Sequence, residues 1–299
     1  MMRILVALIL CFFLFVPQSI ADHPKRIVSG MPSITEILYA LGLEDKIVGV
    51  TTNCNFPPQT GSKEKIGGFF LNLEKVVSLD PDMVVMLEGA QPREVRRFRD
   101  FGLPVYTMDP KTVGQVMEEI IKLGEMTGKR KRALEVVDAM RKKLELVECN
   151  VALAEPGDEL VRVEEESADG KTVEITQYHV LKVKQPQALV IIGMNPLVVV
   201  GGETLIDDML HYTGAQNIAY KTNAAYPQYS FENLMEEDPD FIIIPDGLLR
   251  KEEIRKDRRW QSLSAVKNNR VLFVDADKLS RPGPRVAEVI EEIAGFIYQ

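Results

Sequence analysis

One motif occurs twice in this chain, and that repetition limits what it can fold into. Leu73-Glu74-Lys75-Val76-Val77-Ser78-Leu79-Asp80-Pro81-Asp82 runs into the apolar stretch Met83–Met86. Phe231-Glu232-Asn233-Leu234-Met235-Glu236-Glu237-Asp238-Pro239-Asp240 runs into Phe241–Ile244 in the same way. Each copy reads as a short helix, an Asp-Pro-Asp turn and a buried strand, at an offset of 158 (Phe231 against Leu73). A second echo lies upstream of each: Ser33…Glu36…Gly42 and Thr204…Asp207…Gly214 read as helices opened by a capping box and closed by glycine. That echo has an offset of 171 (Thr204 against Ser33), so loop lengths differ between the copies. A chain that repeats itself on this scale folds as two similar units, and the gap between two lobes is the natural place for a ligand.

Between and around the repeats, strand and helix alternate. Arg26–Ser29, Ile47–Thr51, Met83–Met86 and Val105–Met108 read as strands. Asn72–Ser78, Arg93–Phe101 and Thr112–Thr127 read as helices. Alternation resumes at Ala188–Ile192 and ends in a helix over Pro284–Tyr298. This pattern predicts an α/β fold of two Rossmann-like lobes, each a mainly parallel sheet covered by helices. Ala133, Val136, Val137, Met140, Leu144 and Val147 recur at helical spacing within Lys129–Asn150. They predict one long helix joining the lobes, about 33 Å at the standard rise.

The segment Ala154–Gln187 fits neither repeat. Two β-branched runs there flank Ser167-Ala168-Asp169-Gly170-Lys171, a turn signal, and read as a protruding β-hairpin or a solvated loop. At the other end, Met1-Met2-Arg3 precedes an apolar run from Ile4 to Val16, then Pro17 and Ser19-Ile20-Ala21. That is the pattern of a secretory signal peptide cleaved after Ala21, and the run is too short to span a bilayer. The expected organisation is therefore 1–21 signal peptide, 22–128 N-terminal lobe, 129–150 connecting helix, 151–187 hairpin insert and 188–299 C-terminal lobe.

The net charge of −8 argues against nucleic acid or an anionic membrane surface as partner. Cys54 and Cys149, which remain after processing, are far apart and read as free thiols, although an exported protein is permitted a disulfide. Trp260, just before an apolar strand, reads as core packing. His23, His179 and His211 are scattered, which disfavours a bare zinc or manganese site. The sequence contains no phosphate loop, nucleophile elbow, Cys-His pair or metal-binding helix, so no catalytic residue is assigned. Gly201-Gly202-Glu203-Thr204 ahead of a helix could hold an anion.

Taken in order, RIVSGMPSITEILYALGLEDKIVGV, the NCNFPP loop, IGGFFLNLEKVVSLDPDMVV, GGETLIDDML, YPQYSFENLMEEDPDFIII and SRPGPRVAEVIEEIA resemble one family. They are similar to the periplasmic binding proteins of cobalamin, haem and siderophore importers, and nearest among these to the cobalamin binders. The resemblance implies a periplasmic monomer with no resident cofactor, which carries cobalamin or a similar metal chelate as transported ligand. It also implies docking on an inner-membrane ABC permease, with Glu74 and Glu232 paired to permease arginines. A glutamate in the first turn of a helix is favoured by the dipole anyway; its recurrence in both lobes is what points to docking.

By position against the cobalamin binders, the ligand site would draw on Phe56, Phe69, Phe70, Tyr226, Asp277 and Arg281. Flat aromatic faces suit a corrin or porphyrin ring. Phe56 could instead pack its own loop, and Asp277 with Arg281 could form a surface salt bridge of little energetic weight. Tyr226 and the Gly67-Gly68-Phe69-Phe70 stretch stand where the family has tryptophans, which leaves open a haem ligand, for which Tyr226 or Tyr229 would have to serve iron, or a ferric siderophore held by Arg281 and Arg285. A bilobed enzyme acting on a tetrapyrrole is the reading of a different class.

Overall fold

In a computed structural model of the chain, residues 23–154, 160–166, 172–178 and 185–299 are described. The signal-peptide and Asp169-Gly170 turn readings lie outside those residues. The N-terminal lobe runs β1 (Ile27–Ser29), α1 (Pro32–Ala40), β2 (Ile47–Val50), α2 (Leu73–Ser78), β3 (Met83–Leu87), α3 (Pro92–Asp100), β4 (Val105–Met108) and α4 (Val113–Met126). Its four strands pair in the order β2-β1-β3-β4, all parallel. Helix α5 (Arg130–Ala154) leads out of it. That helix runs four residues past the expected Asn150, so the expected start of the insert at 151 lies inside it.

Two antiparallel strands follow, β5 (Leu160–Glu166) and β6 (Thr172–Tyr178), paired from Leu160↔Tyr178 to Glu166↔Thr172. The described residues of the segment are therefore an antiparallel strand pair. The C-terminal lobe continues with β7 (Gln187–Met194), β8 (Leu197–Val199), α6 (Leu205–Tyr212), β9 (Gln216–Asn217), α7 (Phe231–Glu237) and β10 (Phe241–Pro245). Short helices α8–α10 (Lys251–Lys256, Arg258–Ser262, Ser264–Lys267) precede β11 (Val271–Val274), α11 (Ala276–Ser280) and α12 (Val286–Ile297). Here β10 lies parallel between β7 and β11, β9 pairs parallel with β7, and only β8 is antiparallel.

The central strands β1, β3, β7 and β10 are largely apolar because both faces of each lobe's sheet are covered. Val28, Val84 and Met86 point into an outer cluster with Phe98, while Ile27, Met83 and Val85 belong to the central core. The other sheet divides alike: Leu189, Ile242 and Ile244 join Trp260 outside, and Ala188, Val190 and Ile243 face the centre. That central core is continuous through both lobes. It passes from Ile34 and Ile120 through Val137, Met140 and Leu144 of α5 to Met209 and Ile290. Helix α5 thus buries one stripe against both units and gives them a common spine.

The repeat is visible in backbone detail. Asn72 and Ser230 cap α2 and α7, each accepting from the backbone N–H three residues on. Asp80 and Asp238 both follow in the left-handed region, at φ 45 and 39, which Asp tolerates better than most residues. The last Asp of each motif then reaches the start of the neighbouring strand. Asp82 accepts from the N–H of Lys25 and Arg26 (2.7 and 2.9 Å), and Asp240 accepts from that of Gln187 (2.9 Å). Gly42 and Gly214 end α1 and α6 at φ 68 and 70.

The expected capping box of α1 is not formed. Met31 is the N-cap, without a side-chain bond, and Ser33 sits inside the helix with its hydroxyl unpaired. Glu36 is engaged elsewhere, as described below. The counterpart Thr204 does cap α6, accepting from the Asp207 N–H at 3.1 Å.

Candidate functional site

In open α/β sheets the carboxyl ends of parallel strands border the ligand crevice. Here those ends are brought together across the lobes. Asn55, just beyond β2, donates from Nδ2 to Asp277 Oδ2, just beyond β11, at 2.7 Å. The residues around that contact define the candidate cleft.

On the N-terminal side the chain forms a tight turn over Gly67–Leu71, closed by a bridge between those two residues. Gly67 lies at φ 116, and a Cβ there would come within 2.6 Å of the Phe70 carbonyl oxygen, so only glycine fits. Helix α3 and its N-cap hold the turn. Gln91 Nε2 donates to the Phe69 carbonyl at 2.7 Å, Leu71 N–H donates to Glu94 Oε2 at 3.2 Å, and Arg97 Nη2 donates to the Leu71 carbonyl at 2.6 Å. Gln91 and Glu94 are buried, and the Leu71–Glu94 bond is shielded from water. The turn presents two aromatic rings to solvent: Phe69 and Phe70 are 46 % and 75 % exposed, edge to face at 5.6 Å. Rings this open on so firmly braced a backbone are preorganised contact surface.

On the C-terminal side Tyr226 is 55 % exposed and borders a pocket of about 530 Å³. Ile192, Leu205, Pro245, Leu248 and Leu279 line it, and Asp246 and Ser280 supply polar edges. Gly201 and Gly202 stand beside the loop that carries Tyr226. A Cβ on either would fall 2.2 and 2.3 Å from the carbonyl oxygens of Ala224 and Tyr220. This close approach explains both glycines without invoking an anion. Tyr229, by contrast, donates its hydroxyl to Glu237, and burial followed by that carboxylate pushes its pKa up.

Arg281 is buried, and its partners join the lobes. It meets Asp277 at 2.6 Å, but also Glu36 Oε1 at 2.9 Å and Asn55 Oδ1 at 2.8 Å. Arg285 adds a two-pronged contact to Glu36, Nε to Oε2 at 2.7 Å and Nη2 to Oε1 at 2.6 Å. One carboxylate of α1 therefore holds two guanidinium groups of the C-terminal lobe. Burial works against the charge of Arg285, yet the hydrogen bonds and charge of Glu36, with the charges of Asp275 and Glu288, more than offset it and hold its pKa above the ordinary arginine value. Sequence reasoning treated Asp277–Arg281 as a possible surface pair; the partner it missed is Glu36. Phe56 lies next to the same cluster, half-exposed, with the Arg285 guanidinium 4.2 Å from its ring centre. It borders a pocket of about 610 Å³ together with Tyr39, Lys63 and Pro284, which shares no lining residue with the Tyr226 pocket.

Glu74 and Glu232 occupy equivalent first-turn positions of α2 and α7, and both are exposed. Among the described residues neither carboxylate has a cation within 4 Å, although Arg259 lies close enough to Glu232 to feel its charge. Cys54 is a free buried thiol, 3.1 Å from the hydroxyls of Thr35 and Thr51, and Cys149 is free and exposed. Among the described residues no group of three or more His, Cys, Asp or Glu could hold a metal ion, and no helix is long and apolar enough to cross a membrane.

The chain is similar to several known proteins. An uncharacterized ABC transporter substrate-binding lipoprotein of Bacillus subtilis is 34 % identical over 287 residues, covering 94 % of this chain and 82 % of that protein. A vitamin B12-binding protein of Vibrio cholerae is 26 % identical over 300 residues, covering 98 % of both. Among solved structures, a periplasmic heme-binding protein of Pseudomonas aeruginosa superposes with a TM-score of 0.73 at 25 % identity, over 92 % of this chain and 93 % of that one. The periplasmic vitamin B12-binding protein of Vibrio cholerae superposes with a TM-score of 0.73 at 24 % identity, over 92 % and 96 %. The sequence profile of the periplasmic binding proteins matches residues 27–278, and the chain belongs to that family.

Proposed function

We propose that this protein is the extracytoplasmic solute-binding component of an ABC importer and that it captures cobalamin between its lobes. The observation that carries the reading is the pairing of two exposed aromatic elements with the apposed strand ends. The braced Phe69–Phe70 turn and the Tyr226 pocket provide apolar contact area for a flat macrocycle, while Asp246 and Ser280 can meet its polar edges. The similarity to vitamin B12-binding proteins over nearly the whole length supports cobalamin in particular. Asp277 and Arg281, engaged with Asn55 and Glu36, act at the base of the cleft by fixing the spacing of the lobes. Phe56, stacked on Arg285, flanks this base.

Capture on this scaffold involves little closure. A continuous helix offers no loop hinge, and the shared core and the Glu36 cluster would both have to break for the lobes to separate widely. Delivery then needs an outside force, which a permease bound at Glu74 and Glu232 would apply. Residues 1–21 would direct export and be removed after Ala21.

A haem reading has one specific observation in its favour. The exposed phenol of Tyr226 stands beside an apolar pocket, where it could serve an iron. A titration panel separates the readings: cobalamin, haem and a ferric siderophore are added to the mature protein and followed by absorbance and melting. One-to-one binding of unaltered cobalamin, with a melting temperature that rises with its concentration, is the expected result. Preference for haem or the siderophore, or turnover of a tetrapyrrole, would displace the cobalamin assignment.

A further inference from the structure

The two glutamates proposed to meet a permease are each accompanied by an exposed apolar side chain in the same relative place. Val77 lies three residues after Glu74 on α2, and Met235 lies three residues after Glu232 on α7, so acid and apolar group share one helix face in each lobe. Val77 is 43 % and Met235 41 % exposed. The correspondence is position for position, since both pairs obey the offset that relates the repeats. The rest of the two helices is ordinary: Val76 and Leu234, the next equivalent pair, are fully buried. Neither outward apolar residue is needed to close the core that its buried neighbour already fills.

Resting on the reading that Glu74 and Glu232 dock on a permease, we infer that each lobe presents a two-part contact: the carboxylate with an apolar residue one turn along, Val77 in one lobe and Met235 in the other. The partner this surface fits is a membrane permease assembled from two like subunits. Each subunit would offer a cation for the glutamate and, beside it, an apolar groove for Val77 or Met235. Charge complementarity sets the choice, because both carboxylates are exposed and neither has a cation within 4 Å among the described residues, Arg259 being only a longer-range neighbour of Glu232, and the duplicated contact calls for a duplicated partner. The division of labour follows from physical chemistry. The exposed charges steer the encounter and are screened by salt. The apolar pair, once desolvated, slows dissociation and is insensitive to salt.

Cys149 is free and exposed whereas Cys54 is buried, so the protein can be labelled at one site with a maleimide dye. The labelled protein is titrated onto right-side-out membrane vesicles from the source organism, at low and high salt. Wild type should bind saturably, and Glu74→Lys/Glu232→Lys should abolish binding. Val77→Ser/Met235→Ser should weaken it at least tenfold through faster release at both salt concentrations, with cobalamin binding and melting unchanged. Leu146→Ser, at an exposed apolar residue of the connecting helix, should bind as wild type. If the charge reversal abolishes binding while Val77→Ser/Met235→Ser binds normally, the apolar contact is refuted and the docking reading stands. If the charge reversal has no effect, or wild type does not bind saturably, both are refuted.

Discussion

Replacing Glu36 by Gln should destabilise the protein far more than loss of a surface ion pair would. The side chain keeps its shape but loses the charge that serves Arg281 and Arg285 at 2.6–2.9 Å. The three side chains are only 2 %, 9 % and 12 % exposed, so Arg285 would lose its ion-pair partner while buried, and Arg281 would keep only Asp277. Removing one partner from a buried pair costs about 3–5 kcal/mol, whereas an exposed pair contributes about 0–1 kcal/mol. For a chain of this size about 1 kcal/mol shifts the melting temperature by roughly 2–4 °C, which puts the expected fall near 10 °C and the surface-pair outcome near 2 °C. Differential scanning calorimetry on the mature protein reads the difference. A triple variant, Glu36→Met with Arg281→Met and Arg285→Met, should recover much of the loss, because a buried ionic cluster replaced whole by apolar residues is often neutral. A Glu36→Gln protein that melts within about 2 °C of wild type would refute the claim that this cluster clamps the lobes.

Phe69→Ala/Phe70→Ala should weaken cobalamin binding by about ten- to hundredfold, from the roughly 1.5–3 kcal/mol that one buried Phe contributes. Because both rings are exposed, melting should be unchanged, and isothermal titration beside calorimetry checks the pair. Gly67→Ala should produce the same loss of affinity without touching either ring, since the added Cβ forces the turn open. Trp260→Ala should cost about 3–5 kcal/mol of stability in urea titration, because the indole is 2 % exposed and packed edge to face on Phe231 at 5.3 Å. The Tyr106 pKa is pushed up, first by burial and then by its hydrogen bond to Glu119. A phenol raised in the folded state contributes stability that is complete below its unfolded value of about 10 and is lost as pH rises beyond it. Wild type should therefore lose stability in alkaline urea titrations above pH about 10, and Tyr106→Phe should flatten that decline.

What could be read from sequence depended on how local the cause was. The strands and helices rest on short apolar patterns, and the repeat fixed their equivalence, so Asn72 with Ser230 and Asp80 with Asp238 recur in matching backbone roles. Phe69 and Phe70 are singled out by their position in the resemblance, and both rings are exposed. The ionic cluster was not legible. Glu36 stands three residues after Ser33, which mimics a capping box, and its true partners lie 245 and 249 residues away. Nothing within ten residues of any member announces it. Gln91 and Glu94 escaped notice for a related reason. They belong to a helix whose sequence looks like a solvated, charged segment, and only the tertiary fold turns them toward the Phe69–Phe70 turn.

The central claim is that cobalamin is held in the cleft between the lobes. A crystal structure of the mature protein with cobalamin tests it most directly. The account predicts the corrin ring between the Phe69–Phe70 turn and Tyr226, with the Glu36–Arg281–Arg285 contacts intact. Cobalamin seated anywhere else, including the pocket beside Phe56 and Tyr39, would contradict it.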